Sequence, residues 1–276
     1  MAMRSDRYMR SIGIAMIVGV VLLISIPVLY VVLSSLKTTA EINRVVLLPE
    51  KLYWTNYVNV FKSKEVVHGI WNSTFVTVLS MIIAVAVSSL AGYAIGRRTE
   101  RLYRLLYLLF LSAMMIPVGS SLVALYMIIK SIGLTNSAYG LILIYAAQAI
   151  PMGILLYSGF VKTIPRELDE AATIDGCGYY RRFATILFPL MKPVSITFAV
   201  ISSIGIWNDF LMPLLFITSE AKRTLPLAVY SFTSSHAADL GGIFAMLNVA
   251  LVPPILFFVF MRNYFFEGLT AGAVKG

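Results

Sequence analysis

The sequence predicts an all-α, polytopic membrane protein: six transmembrane helices and one short polar helix on the cytoplasmic side. Three observations carry the prediction. Of 276 residues, 59% are hydrophobic and 13% charged, against about 25% charged in an ordinary soluble domain. Crossing the hydrocarbon layer takes about 20 apolar residues of helix. Six windows meet that length, at roughly 12–36, 72–95, 105–129, 139–160, 193–217 and 243–261. Finally, Lys and Arg crowd one set of connections, as the positive-inside rule requires.

The first window has an apolar core of about 22 residues, longer than the 7–15 of a secretory signal, and no small-x-small cleavage site follows it, so it is expected to be a retained span. The connection 37–71 carries Tyr53, Trp54, Tyr57 and Trp71. Aromatic rings favour the membrane–water interface, so part of this loop is expected to lie along the outer surface. Asn72-Ser73-Thr74 fits a glycosylation pattern, but it stands at a span boundary and is read as chance. The second window runs into RRTERLYR (97–104), the densest short basic loop. With the N-terminus inside, 14 of the 22 Lys and Arg residues lie in inner segments and 8 in outer ones. Both termini and the insert 161–192 are therefore predicted to be cytoplasmic. The net charge of +9 then reflects topology and not nucleic-acid binding. Prolines 27, 117, 151 and 213 lie in or near spans, where each removes a rung of the helix ladder and permits a kink. No internal repeat links the two halves, which argues against an inverted-repeat transporter. The single cysteine, Cys177, excludes a disulfide framework, and the separated His68 and His236 show no metal-ligand spacing.

The polar insert reads ELDEAATIDGCGYYRRFATILFPL, residues 167–190. Pro165 suits the start of a helix, and Glu167, Asp169 and Glu170 crowd its first turn, where the backbone dipole favours negative charge. Asp175-Gly176 supplies the stop, because glycine accepts the left-handed conformation that ends helices. The expected helix, 166–175, is about 15 Å long and too short to span. Small side chains at Ala171 and Ala172 beside carboxylates suit a docking surface; a solvated connector between two spans is the alternative.

Glu170-Ala171-Ala172, then three residues, Gly176, nine residues, Ile186, one residue and Phe188-Pro189 resembles the EAA loop of ABC importer permeases, EAA-x3-G-x9-I-x-LP. Phe188 stands where leucine is usual. WNDFLMPL (207–214), TLPLAVYSF (224–232) and GLTAGAVKG (268–276) are similar to the carbohydrate branch, in particular to the second permease subunit of maltose-type systems. The resemblance implies a type I ABC importer permease fold. It divides the chain into an N-terminal helix and external loop (1–69), a permease core (70–263) and a cytoplasmic tail (264–276) that contacts the ATPase pair. It implies a subunit of a carbohydrate importer in a bacterial or archaeal cytoplasmic membrane. The partners it implies are a second, non-identical permease, two ATPase subunits and an extracytoplasmic solute-binding protein. Glu167, Glu170, Ala171, Ala172, Asp175 and Gly176 would couple to the ATPase, with Glu170 pairing a basic residue there. No G-x-x-x-x-G-K-[ST] loop occurs in the chain. The chain is therefore expected to have no catalytic site and no cofactor of its own, ATP and Mg²⁺ being held by the ATPase subunits.

Asp209 is the one ionisable side chain in any window. A charge at mid-bilayer costs at least about 2.5–3.5 kcal/mol, while a rise of about 1.5 Å per residue from Pro193 puts Asp209 in the outer third. With Asn208 it either lines the translocation pathway or contacts another helix, or else it reaches interfacial water. Gln148 and Asn248 also stand as pathway candidates. Their amides suit sugar hydroxyls, but they equally join helices at roughly 0.6 kcal/mol each. Tyr126, Tyr145, Trp207 and Phe210 can stack on sugar rings or simply pack. Two rival readings remain. One is the same fold carrying glycerol phosphate or an amino acid; the other is an ATP-independent secondary transporter.

Overall fold

The apolar windows become helices because hydrocarbon leaves backbone N–H and C=O groups no partner outside the segment itself. The computed structural model describes the backbone of residues 2–273 and the side chains of residues 13–117 and 119–260. The chain runs through α1 (Ala2–Ser35), α2 (Thr39–Asn43), α3 (Thr55–Lys62) and α4 (Lys64–Arg97). It continues as α5 (Arg101–Ala113), α6 (Val118–Ser131), α7 (Ala138–Val161) and α8 (Glu167–Ile174). Next come α9 (Tyr179–Arg182), a π turn at Phe183–Leu187, α10 (Phe188–Leu190), α11 (Lys192–Asn208), α12 (Leu211–Phe216), α13 (Leu225–Ser235) and α14 (Leu240–Ala273). No strand occurs among the described residues.

Four stretches are single helices long and apolar enough to cross a membrane: Gly13–Ser35, Lys64–Arg97, Ala138–Val161 and Leu240–Phe260. The remaining two windows are helical but interrupted, where uninterrupted spans were expected. The third breaks between α5 and α6 at Met114–Pro117. Pro117 has no N–H and disfavours helical geometry at Ile116, so Pro117 becomes the extended residue that starts α6. The fifth breaks at Asp209, which is extended (φ −71°, ψ 130°) between α11 and α12. At its other end, α11 meets the segment Tyr179–Leu190 at a 73° bend. Pro151, Pro253 and Pro254, by contrast, sit inside continuous helices. The predicted tail 264–276 begins as helix, since α14 runs to Ala273; residues 274–276 and the tail's side chains lie outside the described residues.

Two compact units emerge, one of Met1–Val67 with Val229–Val252 and one of His68–Ala228 with Pro253–Gly276. In the first, the most apolar stretch of α1 within Gly13–Ser35 has no buried residue, the signature of a helix meant for lipid. The loop after it is built on polar contacts. Thr38 and Glu41 form a capping box on α2, and Glu41 also accepts from the Glu50 N–H at 2.9 Å. Lys37 is buried and donates to the Val46 and Leu47 carbonyls at 2.7 and 2.9 Å. Trp54 stays exposed, whereas the Tyr57 hydroxyl bonds Ser35 at 2.7 Å.

The second unit is held by a close approach of α4 and α7. A Cβ on Gly92 would overlap that of Tyr157, and one on Gly96 would lie 3.0 Å from the Ser158 carbonyl oxygen. Gly153 of α7 faces Ser88 of α4 in the same way. Small residues at i and i+4 let two backbones meet in a membrane. Around this contact Met81, Tyr93, Tyr157, Val161, Phe183, Leu187, Met191 and Phe198 form one apolar core. A second core joins Val76, Ile129, Leu141, Tyr145, Met212 and Phe216.

Candidate functional site

The short helix α8 has the ends its sequence demands. Three acids occupy its first turn. At its C-terminus Gly176 takes φ +74°. Its N–H donates to Thr173 at 3.1 Å, and the Cys177 N–H donates to Ala172 at 2.9 Å. These two bonds are the Schellman closure that a left-handed glycine permits.

Around the helix axis the residues separate into two faces. Glu167, Glu170, Ala171, Asp175 and Gly176 are exposed, but Ala172 is buried at 3%. The expected Ala171-Ala172 patch is therefore a single exposed alanine, because the turn of about 100° per residue carries Ala172 past the edge of the exposed arc and onto the buried side. Ile174 is 86% exposed and Leu168 is 40% exposed, so the exposed surface of the helix mixes carboxylates with bare apolar side chains. Ile174 lies seven residues after Glu167, a spacing that returns to the same face and is legible in the sequence.

Asp169 faces the opposite way. Its carboxylate pairs with Arg97 at 2.8 Å and with Arg182 at 3.4 Å, all three side chains being under a fifth exposed. The Tyr93 hydroxyl donates to the same carboxylate at 2.7 Å and accepts from Arg182 Nε at 3.1 Å. Arg97 also donates to the Ile164 carbonyl at 2.9 Å, on the segment entering α8. Arg182, on the segment leaving it, donates to Thr173 at 2.6 Å. The Tyr93 ring packs on Tyr179 and Phe183, with centroids 5.1 and 5.7 Å away. None of these partners stood out from the sequence as a site residue. A groove of about 250 Å³ beside them is lined by Arg97, Arg98, Arg166, Asp169 and Glu170.

The four pathway candidates do not converge. Asn208 borders a cavity of about 510 Å³ with Thr77, Met81, Ser203, Trp207 and Phe257, and its amide donates to the Ile204 carbonyl at 3.0 Å. Gln148 borders a different cavity of about 580 Å³ at the α5–α6 break. Asp209 lines neither. Its carboxylate accepts from the Leu211 and Met212 N–H groups at 3.1 and 3.2 Å, the first donors of α12, and from the Tyr145 hydroxyl at 2.7 Å. Bonds to those otherwise orphaned N–H groups account for an acid in the span. Asn248 belongs to the other unit and donates to the Val31 carbonyl at 3.2 Å, a helix-joining contact. Among the described residues no three of His, Cys, Asp and Glu gather into a metal-binding group.

Residues 88–270 match the family described as binding-protein-dependent transport system inner membrane component. The chain is 33% identical to the melibiose/raffinose/stachyose import permease protein MelC of Bacillus subtilis, over 91% of each chain. It is 32% identical to the multiple sugar-binding transport system permease protein MsmG of Streptococcus mutans, over 92% of this chain and 93% of that one. To the probable starch degradation products transport system permease protein AmyC of Thermoanaerobacterium thermosulfurigenes it is 35% identical, over 93% and 94%. A chain from the crystal structure of a bacterial ABC transporter that imports the polysaccharide alginate superposes with a TM-score of 0.82. The superposition covers 95% of this chain and 98% of that one at 21% identity. The chain therefore belongs to the family of binding-protein-dependent transport system inner membrane components, and its fold is that of a type I ABC importer permease.

Proposed function

We propose that this chain is one of two non-identical permease subunits of an ATP-driven importer of a sugar or oligosaccharide. The observation that carries the coupling is the two-faced α8. Its Glu167, Glu170, Ala171, Leu168 and Ile174 stand free, while Asp169 and Ala172 seat the helix on its own subunit. A surface that sets carboxylates beside the bare Ile174 side chain suits a cleft on a nucleotide-binding subunit. Glu170 pairs a basic residue there, and Ala171 lets the two backbones approach. Gly176 holds the turn that aims the helix, and Glu167 and Asp175 flank it.

In this reading ATP and Mg²⁺ bind between two partner ATPase subunits, and this chain hydrolyses nothing. Closure of the ATPase pair moves α8, and the spans turn from inward-facing to outward-facing. An extracytoplasmic binding protein then releases the sugar into the opened pathway. Both termini and α8 lie on the cytoplasmic side, in keeping with the Lys and Arg distribution. The carbohydrate class follows the relatives, which carry sugar names across nearly the whole length of this chain. Asn208, beside Trp207 in the apolar cavity of about 510 Å³, and Gln148 are the pathway residues retained. Asp209 and Asn248 serve the fold first.

The test is purification of the tagged chain followed by transport in proteoliposomes with a panel of sugars, glycerol phosphate and amino acids. An ATPase and a second permease are expected to co-elute, with ATP-dependent uptake of a sugar. A chain that elutes alone and transports on an ion gradient refutes the ABC reading; uptake restricted to a non-sugar solute refutes the carbohydrate class. Glu170→Lys is expected to insert normally and to lower uptake at least about tenfold, the loss of one charge-assisted contact, and Gly176→Asp is expected to insert and to lower uptake because a side chain strains the left-handed turn that aims the helix. Full uptake by either variant refutes the coupling role.

A further inference from the structure

The first turn of α8 carries three acids, and general helix physics assigns all of them one job, complementing the dipole. The structure divides them. Glu167 and Glu170 face outward, whereas Asp169 is enclosed by three side chains from two separate segments. Arg97 and Tyr93 come from the last turns of α4, and Arg182 from the segment after α8. Arg97 reaches past Asp169 to the Ile164 carbonyl, and Arg182 reaches to Thr173. One carboxylate therefore ties the entry to α8, the helix itself and its exit to the end of α4.

The covalent path from α8 leads to α7 on one side and through the π turn to α11 on the other. No peptide bond joins α8 to α4 within 60 residues, so any motion α4 shares with α8 must cross non-covalent contacts, and the Asp169 cluster joins α8 itself to α4. α4 is also the helix whose Thr77, Val78, Met81 and Val85 border the large cavity at mid-span. Two guanidinium groups and a phenol on one poorly exposed carboxylate form charge-assisted bonds, which are about twice as strong as neutral ones. The Gly92 and Gly96 contact with α7 keeps the last turns of α4 from yielding independently.

We infer that Asp169 is a positioning residue for transport: with Arg97, Tyr93 and Arg182 it delivers the displacement of α8 to α4, and through α4 to the cavity wall. Glu170 meets the motor; Asp169 passes the motion on. The inference rests on the ABC-importer reading above and adds to it a route within this subunit.

The experiment uses the whole transporter, purified with its co-eluting subunits, reconstituted in proteoliposomes and supplied with its binding protein. Solute imported and ATP hydrolysed are measured together. Asp169→Asn keeps the shape and the outward face of α8 but removes the charge. It is expected to retain subunit co-elution and ATP hydrolysis within about twofold, while solute imported per ATP falls at least about tenfold, the worth of a lost charge-assisted bond. Asp169→Glu, which keeps the charge, is expected to recover part of that ratio. Tyr93→Phe removes one hydrogen bond and no charge, and should lower the ratio by about two- to tenfold; it decides the matter should Asp169→Asn fail to assemble. An unchanged ratio in these variants overturns the inference. A parallel loss of hydrolysis and import also overturns it, since that is the result of a poorly seated ATPase. A wild-type complex that shows no hydrolysis stimulated by the binding protein overturns the importer reading instead.

Discussion

Substitution of Gly92 by alanine probes the packing on which the coupling arrangement stands. The new Cβ would overlap the Cβ of Tyr157 and lie 3.1 Å from the Ser158 nitrogen and 3.3 Å from the Tyr157 carbonyl carbon. Those obstructing atoms belong to the backbone or are fixed to it, so no rotamer change relieves them and the helices must part. Overpacking of a filled interface costs about 1–3 kcal/mol, and the rigidity of the obstacle places Gly92→Ala near the top of that range. Against this, alanine in a helix interior gains about 1 kcal/mol over glycine, leaving a net loss of about 2 kcal/mol. Gly159, exposed on α7, provides the control, because nothing lies within 4 Å of its would-be Cβ. Gly159→Ala keeps only the propensity gain, so the two variants differ by about 3 kcal/mol. At about 2–4 °C per kcal/mol, Gly92→Ala should melt roughly 6–12 °C below Gly159→Ala. The assay is thermal denaturation of both purified variants in one detergent, followed by the monodisperse peak on size exclusion. Equal melting temperatures, or a higher one for Gly92→Ala, refute the close α4–α7 approach.

Removal of the acid at the α11–α12 break should act on stability. Asp209→Ala forfeits bonds worth about 1.5–3 kcal/mol for a charged acceptor and should melt lower, while Asp209→Asn, whose single acceptor oxygen keeps the bonds of one carboxylate oxygen and loses those of the other, should melt between Asp209→Ala and wild type; an Asp209→Ala protein as stable as wild type removes the capping role. The loop after α1 should depend on pH through Glu41, whose carboxyl is held below its ordinary value of 4.5 by the Thr38 and Glu50 backbone N–H groups, then by the Thr38 hydroxyl. A depressed carboxyl stabilises the loop fully above the unfolded value and loses that contribution as pH falls through the folded one. Protease cleavage within 38–53 should therefore rise between about pH 5 and pH 3 and be insensitive to pH in Glu41→Gln; a flat wild-type profile counts against the capping box.

What the linear sequence determined about this protein is what adds up locally. Apolar length sums residue by residue, so six helical windows were legible, and so was the stop at Asp175-Gly176, because a cap involves only near neighbours. Pro117 was legible as a place where the third window could kink, since proline acts on its own turn, but not that the helix would break there while Pro151 stays inside a continuous one. The spacing of the EAA segment carried the family. Tertiary structure decided what each polar group is for. Periodicity gives the angle of a side chain about its helix axis, but not which neighbour stands at that angle. Asp169 and Glu170 are adjacent in the chain, yet one meets Tyr93, 76 positions away, and the other meets solvent. The sequence left Asp209 between pathway wall, helix contact and interfacial water; its oxygens are occupied by Tyr145, 64 positions away, and by the α12 N–H groups. Asn248 is occupied by a carbonyl 217 positions away. Such partners are brought together only when the helices pack, because hydrogen bonds and ion pairs act over about 3 Å of space whatever the distance along the chain.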